Sequence, residues 1–207
     1  MRFATAAIVL VVATAVPAFG QTASPGFVRG FGGVTFMSET GGVFGLGVGV
    51  RLTPHLDLIG DAGRITNMMP DGIQRDLDAA ARMMGAFYGV PLTIDGRAPG
   101  VYAFGGLRAN WAIGGRTNLY VEGGAGGARG TSDIRARAGG TDVSSEVTAA
   151  LDIKHSESQP LVALGAGLSV PVTGKLAIEF GYRFMRIFTD DPRIDTGSMS
   201  AGLRWGF

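Results

Sequence analysis

From residue 26 onward, apolar positions alternate with small or polar ones at a period of two, the mark of strands with one apolar face. The segment 42–52 puts Phe44, Leu46, Val48, Val50 and Leu52 on one side and Val43, Gly45, Gly47, Gly49 and Arg51 on the other. In 160–172, Val162, Leu164, Ala166, Leu168, Val170 and Val172 oppose Ala163, Gly165, Gly167 and Ser169. In 176–188, Leu176, Ile178, Phe180, Tyr182 and Phe184 oppose Ala177, Glu179, Gly181 and Arg183. Weaker alternation through 27–37, 56–65, 100–113, 117–130 and 196–207 brings the predicted strands to eight. Most are near the ~10 residues a tilted strand needs to cross a bilayer.

The connections alternate in length as regularly as the strands. Tight turns at 53–55, 114–116 and 173–175 separate longer connections at 38–41, 66–99, 131–159 and 190–195. An even strand count with short turns at one end is the layout of a membrane barrel whose termini share the periplasmic, short-turn side. A soluble barrel of lipocalin type needs a polar exterior. Here the less apolar face is mostly Gly, Ala and Ser, which suits a narrow lumen, while the apolar face carries Trp111, Tyr182, Trp205 and Phe207 toward strand ends, as interfacial girdles do. The expected fold is all-β: an eight-stranded antiparallel up-and-down transmembrane barrel with lipid outside.

Composition narrows the function classes. The chain has 207 residues, 35 of them Gly, and a formal charge of +1, which offers nucleic acid no basic surface. With no Cys, disulfides, thiolate metal sites and Cys nucleophiles are excluded. Arg2 followed by the apolar run 4–16, too short to span a bilayer, and by Ala18-Phe19-Gly20 predicts a cleaved signal peptide over 1–20 and an exported barrel domain over 21–207.

The last strand puts Met199, Ala201, Leu203, Trp205 and Phe207 on one face and ends on that aromatic. Together with the strand–turn layout, residues 26–207 resemble the small bacterial outer-membrane β-barrel family of OmpA/OmpX type. The resemblance implies residence in the outer membrane, contact with its lipid and lipopolysaccharide, and an assembly signal at Leu203, Trp205 and Phe207 read by the barrel-assembly machinery. A departure is the helical pattern in the second long loop: Ile73, Leu77, Ala80, Met84 and Phe87 share a face, Asp71 and Gln74 suggest a capping box, and Gly85 or Gly89 ends the helix. Its apolar stripe predicts either a lid on the barrel rim or a helix that meets a partner or lipid. Loops 66–99 and 131–159 are the candidate surface for an extracellular partner, the latter extending its flanking strands above the membrane.

Catalytic chemistry is thin. His55 sits in a short turn; His155 has Ser residues one and three positions away and Glu157 at the second, so it misses the spacing of outer-membrane lipid A deacylases. Asp190, Asp191 and Asp195 read as a solvated acidic loop, and the glycines of 123–127 lack the Lys-Ser/Thr of a phosphate loop. No catalytic residue, cofactor or metal is expected. Register arithmetic points inside the barrel instead. Pairing Leu52 with Leu56 sets Arg51 opposite Asp57; pairing Ile113 with Thr117 sets Arg108 opposite Glu122; placing Phe207 beside Leu176 sets Glu179 opposite Arg204. Such pairs would plug so narrow a lumen. The expected function is a structural or interaction barrel displaying its loops for envelope integrity, adhesion or partner binding. The alternatives are a lipid A-modifying hydrolase and a narrow diffusion channel.

Overall fold

The computed structural model describes residues 25–36, 40–69, 73–114, 116–131, 133–144, 157–189 and 194–207. The predicted signal peptide, Asp71, His155, Asp190 and Asp191 lie outside the described residues. In chain order the elements are β1 (Gly26–Phe36), β2 (Gly41–Thr53), β3 (Leu56–Ile65), α1 (Ile73–Tyr88), β4 (Leu92–Arg97), β5 (Gly100–Gly114), β6 (Thr117–Gly130), β7 (Asp133–Ala138), β8 (Thr141–Asp142), β9 (Glu157–Pro171), β10 (Leu176–Ile187) and β11 (Ile194–Gly206).

Eight of the strands close a barrel in the order β1-β2-β3-β5-β6-β9-β10-β11, with β11 returning to β1. All eight pairings are antiparallel. The apolar sides point outward: Leu46 is 72 %, Leu164 62 % and Met199 59 % exposed, an arrangement stable only against hydrocarbon. One register row runs Arg51, Asp57, Arg108, Glu122, Gly165, Arg183, Ser198, Thr35 and back to β2 at Gly41, ten residues from its start. That displacement requires the strands to tilt around the axis.

Two short turns differ from the three-residue form the sequence suggests. Thr53 pairs with Leu56 and Gly114 with Thr117, and the registers shift between Arg51 and Thr53 and between Ala112 and Gly114. Each connection is a two-residue loop with one extra residue bulged out of the strand, so the register above the bulge is unchanged. Gly114 takes φ +129, which favours glycine. At the closing strands Leu176 pairs with Trp205, two residues short of Phe207. Phe207 instead exchanges backbone hydrogen bonds with Gly26, at 3.0 and 3.4 Å, which ties the end of the chain to the start of β1.

Above the long-loop end, β4, β7 and β8 form a separate three-stranded sheet. The helix α1 packs on this sheet through Leu77 and Ala81 against Leu92, Ile94, Ala136 and Val143. It is therefore not a lid folded on the barrel rim, and Met84 is 40 % exposed instead of buried in the stripe. The reason is local: β4 and β7 alternate too, and their inner residues Ile94 and Ala136 give the helix an apolar partner of its own. The capping box expected with Asp71 falls outside the described residues, while Gln74 joins helix and sheet. Its Nε2 donates to Ile94 O at 2.9 Å and its Oε1 accepts from Gly96 N at 3.1 Å, as a paired strand would. Gly89, at φ +68, ends the helix, with Val90 N donating to Gly85 O at 3.1 Å in a Schellman closure. Among the described residues of this loop, 133–142 thus build the lobe and 157–159 prolong a barrel strand.

Candidate functional site

The inward side chains fill the lumen in two levels. Nearer the long loops the filling is apolar: Val43, Ile65, Tyr102, Leu161, Met185 and Ile187 pack together, with Met68 reaching in from the loop above. Below them lies an ionic level of four arginines, Arg29, Arg108, Arg183 and Arg204, and four carboxylates, Asp57, Asp61, Glu122 and Glu179. All but Arg204 are buried.

The charges interlock: Arg29, Arg183, Asp61, Glu122 and Glu179 each meet two or more of opposite sign. Arg183 Nη2 stands 2.5 Å from both Asp61 Oδ2 and Glu122 Oε1. Arg29 binds Asp61 and lies 3.0 Å from Glu122 Oε2 and 3.6 Å from Glu179 Oε2. Arg108 holds Glu179 with both terminal nitrogens, at 3.2 and 2.7 Å, and Arg204 Nε approaches the same carboxylate at 3.5 Å. Aromatic faces complete the shells: the Arg108 guanidinium lies 3.6 Å over the Tyr120 ring, and Arg183 sits 4.9 Å from Phe104 and 5.2 Å from Phe31.

Glycine makes the room for these groups. Phe27, Arg29 and Phe31 on β1 face Gly49, Gly47 and Gly45 on β2, and Tyr120 and Glu122 face Gly167 and Gly165 on β9. A Cβ at Gly47 would run into the Asp61 carboxylate, and one at Gly49 into the Phe27 ring. Among these groups lies a cavity of about 20 Å³ bounded by Arg29, Tyr120, Glu122, Glu179, Arg183 and Ser200. It holds roughly one water molecule.

Register neighbours and side-chain partners coincide only in part. Arg51 does face Asp57, with Nε 3.8 Å from Oδ1, but Arg51 is itself one-third exposed, and Asn110 Nδ2 also donates to the buried Asp57 at 2.9 Å. Arg108 does face Glu122 in register, yet its carboxylate partner is Glu179, across the lumen. Tyr120 steers Arg108 inward, while the side-chain gap at Gly165 lets Glu122 meet Arg183 and Arg29. Glu179 faces Gly202 and Arg204 faces Ala177, because Phe207 is bound to β1; the long arginine stem still reaches Glu179 diagonally. Pairing of neighbouring strands does not reveal Arg29, Asp61 and Arg183 as members. Their signal is parity alone, each being a charge on the inward side of its strand.

Elsewhere the candidates separate. His55 lies in its short turn with Nδ1 3.2 Å from Asn110 O. Asp195 is held by Arg186 through two contacts of 2.7 Å. Among the described residues, no group of three His, Asp or Glu could hold a metal ion. In the lobe, Ser144 donates its hydroxyl at 2.5 Å and its N–H at 3.0 Å to Asp142, holding that carboxyl below the usual range. Leu203, Trp205 and Phe207 all lie exposed on the outer wall of the closing strand.

A closed eight-stranded barrel with an apolar exterior and charges sealed inside defines an integral membrane protein that crosses with strands, the class that occupies the bacterial outer membrane. The chain belongs to the outer membrane protein beta-barrel domain family, whose match extends over residues 4–207. Its fold is similar to that of Neisserial surface protein A, at a TM-score of 0.58 and 16 % identity over 90 % of this chain and 100 % of that one. A major outer membrane protein from Thermus thermophilus gives 0.54 and 12 %, over 88 % and 99 %. The N-terminal barrel domain of Pseudomonas aeruginosa OprF gives 0.52 and 13 %, over 90 % and 100 %. At such identities the likeness is one of fold. No curated protein matches the chain.

Proposed function

We propose that this protein is a non-conducting, non-catalytic scaffold of the outer membrane, which holds the lobe of α1, β4, β7 and β8 outside the cell for envelope integrity, adhesion or partner binding. The observation that carries the reading is the filled lumen. Conduction needs a continuous column of water, and here the buried ionic cluster, whose cavity has room for about one molecule, lies below a layer of packed apolar side chains. The ionic residues act as a plug and as internal struts. The short turns face the periplasm, and Leu203, Trp205 and Phe207 serve as the assembly signal on the last strand.

Planar-bilayer recording of the purified protein tests the plug: the expected trace has no channel steps, and a large, stable open current overturns the reading. Cysteine labelling of intact cells tests the display. Positions in 66–99 and 131–159 should react and Pro54→Cys and Gly174→Cys should not; the reverse pattern inverts the orientation. A lipid-modifying activity that is lost in His155→Ala would overturn the non-catalytic part.

A further inference from the structure

On the outer wall, β3, β5 and β6 carry a row of Arg64, Val101 and Arg129 just below the long loops, aligned by the pairs Arg64–Val101 and Val101–Arg129. All three side chains are exposed. At ~4.8 Å per strand the two arginines flank Val101 at roughly 10 Å from each other. Val101 stands ten residues along β5 from Trp111, which at ~3.3 Å per residue and a ~40° tilt is a rise of roughly 25 Å, the height of the apolar band of such barrels. The arginines therefore sit where hydrocarbon gives way to headgroups.

Directly beneath them the wall is smooth. The next outward row is Ala62, Ala103 and Gly127, and the one below it Gly60, Gly105 and Ala125. Leu46 and Val48 of β2 border this floor on one side, and Pro160 and Val162 of β9 on the other. The barrel itself does not require glycine here. A Cβ at Gly60 or Gly105 meets nothing nearer than 3.8 Å and at Gly127 nothing nearer than 3.6 Å, and none of the three has a positive φ. On the inner wall the opposite holds, since a Cβ at Gly106 would strike the backbone at Gly123. Glycine within a strand is destabilising, so its use where neither packing nor backbone asks for it points to a contact outside the chain.

We infer that Arg64 and Arg129 bind the phosphate groups of a multiply acylated, phosphorylated lipid of the outer leaflet, whose chains lie on the Gly/Ala floor. Two guanidinium groups at the membrane edge complement an anionic headgroup, and between them and the short turns the outward positions of these three strands carry no charge. A second copy of this chain fits less well. A two-fold axis along the membrane normal would bring the two arginine rows together at one height. The choice of leaflet rests on the orientation proposed above, whereas binding in detergent does not, so the two ideas fail separately.

Native mass spectrometry of the full-length protein in detergent, titrated with hexa-acylated bisphosphorylated lipid A, tests the site. One bound lipid is expected, with affinity at least roughly tenfold lower for the dephosphorylated lipid and for the double variant R64Q/R129Q. Gly105→Leu, which roughens the floor and leaves both arginines, should also weaken binding, and Arg186→Gln on the far side should not. Heat-modifiable gel mobility reports whether each variant has closed its barrel. Unchanged lipid A binding by R64Q/R129Q overturns the inference. So does efficient disulfide crosslinking of Gly105→Cys to a second copy without bound lipid.

Discussion

Near the long loops, the lumen is closed by Ile65, Leu161, Met185 and Ile187; a few residues lower it is closed by four arginines and four carboxylates. The upper level needs only volume and shape, because dispersion contacts have no sign or direction. The lower level needs the right charge at the right reach, since an ion shut between two walls has only other side chains to replace water. Apolar filling alone would serve to occlude the barrel. The ionic level adds discrimination: a one-residue slip of a strand that carries one of these charges turns it toward lipid, where it costs several kcal/mol.

The contrast is sharpest at Arg108, which is fully buried. Replacing it with Ala strips Glu179 of its two-pronged partner and leaves Arg204 and Arg29 at 3.5 and 3.6 Å. The expected loss is about 3 kcal/mol, the low end for breaking a buried pair, read from urea unfolding in lipid vesicles. Adding Glu179→Gln should restore part of it and Glu122→Gln should not; rescue by the second alone would reassign the partner. A smaller loss, about 2–3 kcal/mol, is expected for Leu161→Ala in the apolar level, because the flexible Met68 and Met185 in its cluster can move into the space. That loss should be indifferent to salt, and a strong salt dependence would erase the distinction between the levels. Arg51→Ala should cost under about 1 kcal/mol, its side chain being one-third exposed and Asp57 keeping Asn110. A penalty as large as that of Arg108→Ala would mean that the short-turn mouth is as dry as the centre.

The strands were legible in the sequence because alternation is a local property: Leu56 to Ile65 reads as a strand from its own ten residues. The family was legible for a related reason, since the closing aromatic and the rhythm of short and long connections are also written along the chain. What neighbouring residues cannot specify is a contact between strands that never pair. Arg108 and Glu179 sit on β5 and β10, and only the ten-residue displacement of the closed register brings them face to face. The lobe is hidden in the sequence for a different reason. β4 and β7 are six residues each, and their alternating sides are marked mainly by small or short residues such as Ala136 and Gly96. Bulges at Leu52 and Ile113 leave no trace in apolar periodicity, because they shift the turn and not the strand above it.

The ion pairs of the centre also say something about the order in which the chain becomes a barrel. Arg108 and Glu179 are 71 positions apart, Arg29 and Glu122 are 93, and Arg183 and Asp61 are 122. A nascent hairpin of β1 with β2, or of β5 with β6, can bury none of its central charges by itself, and the gap between β1 and β11 has to shut before Arg29 finds all its partners. Entering the bilayer strand by strand would drag naked ions through hydrocarbon. Closure and insertion are thus one concerted event, and the same residues that keep the finished barrel dry forbid a half-built one from settling in the membrane.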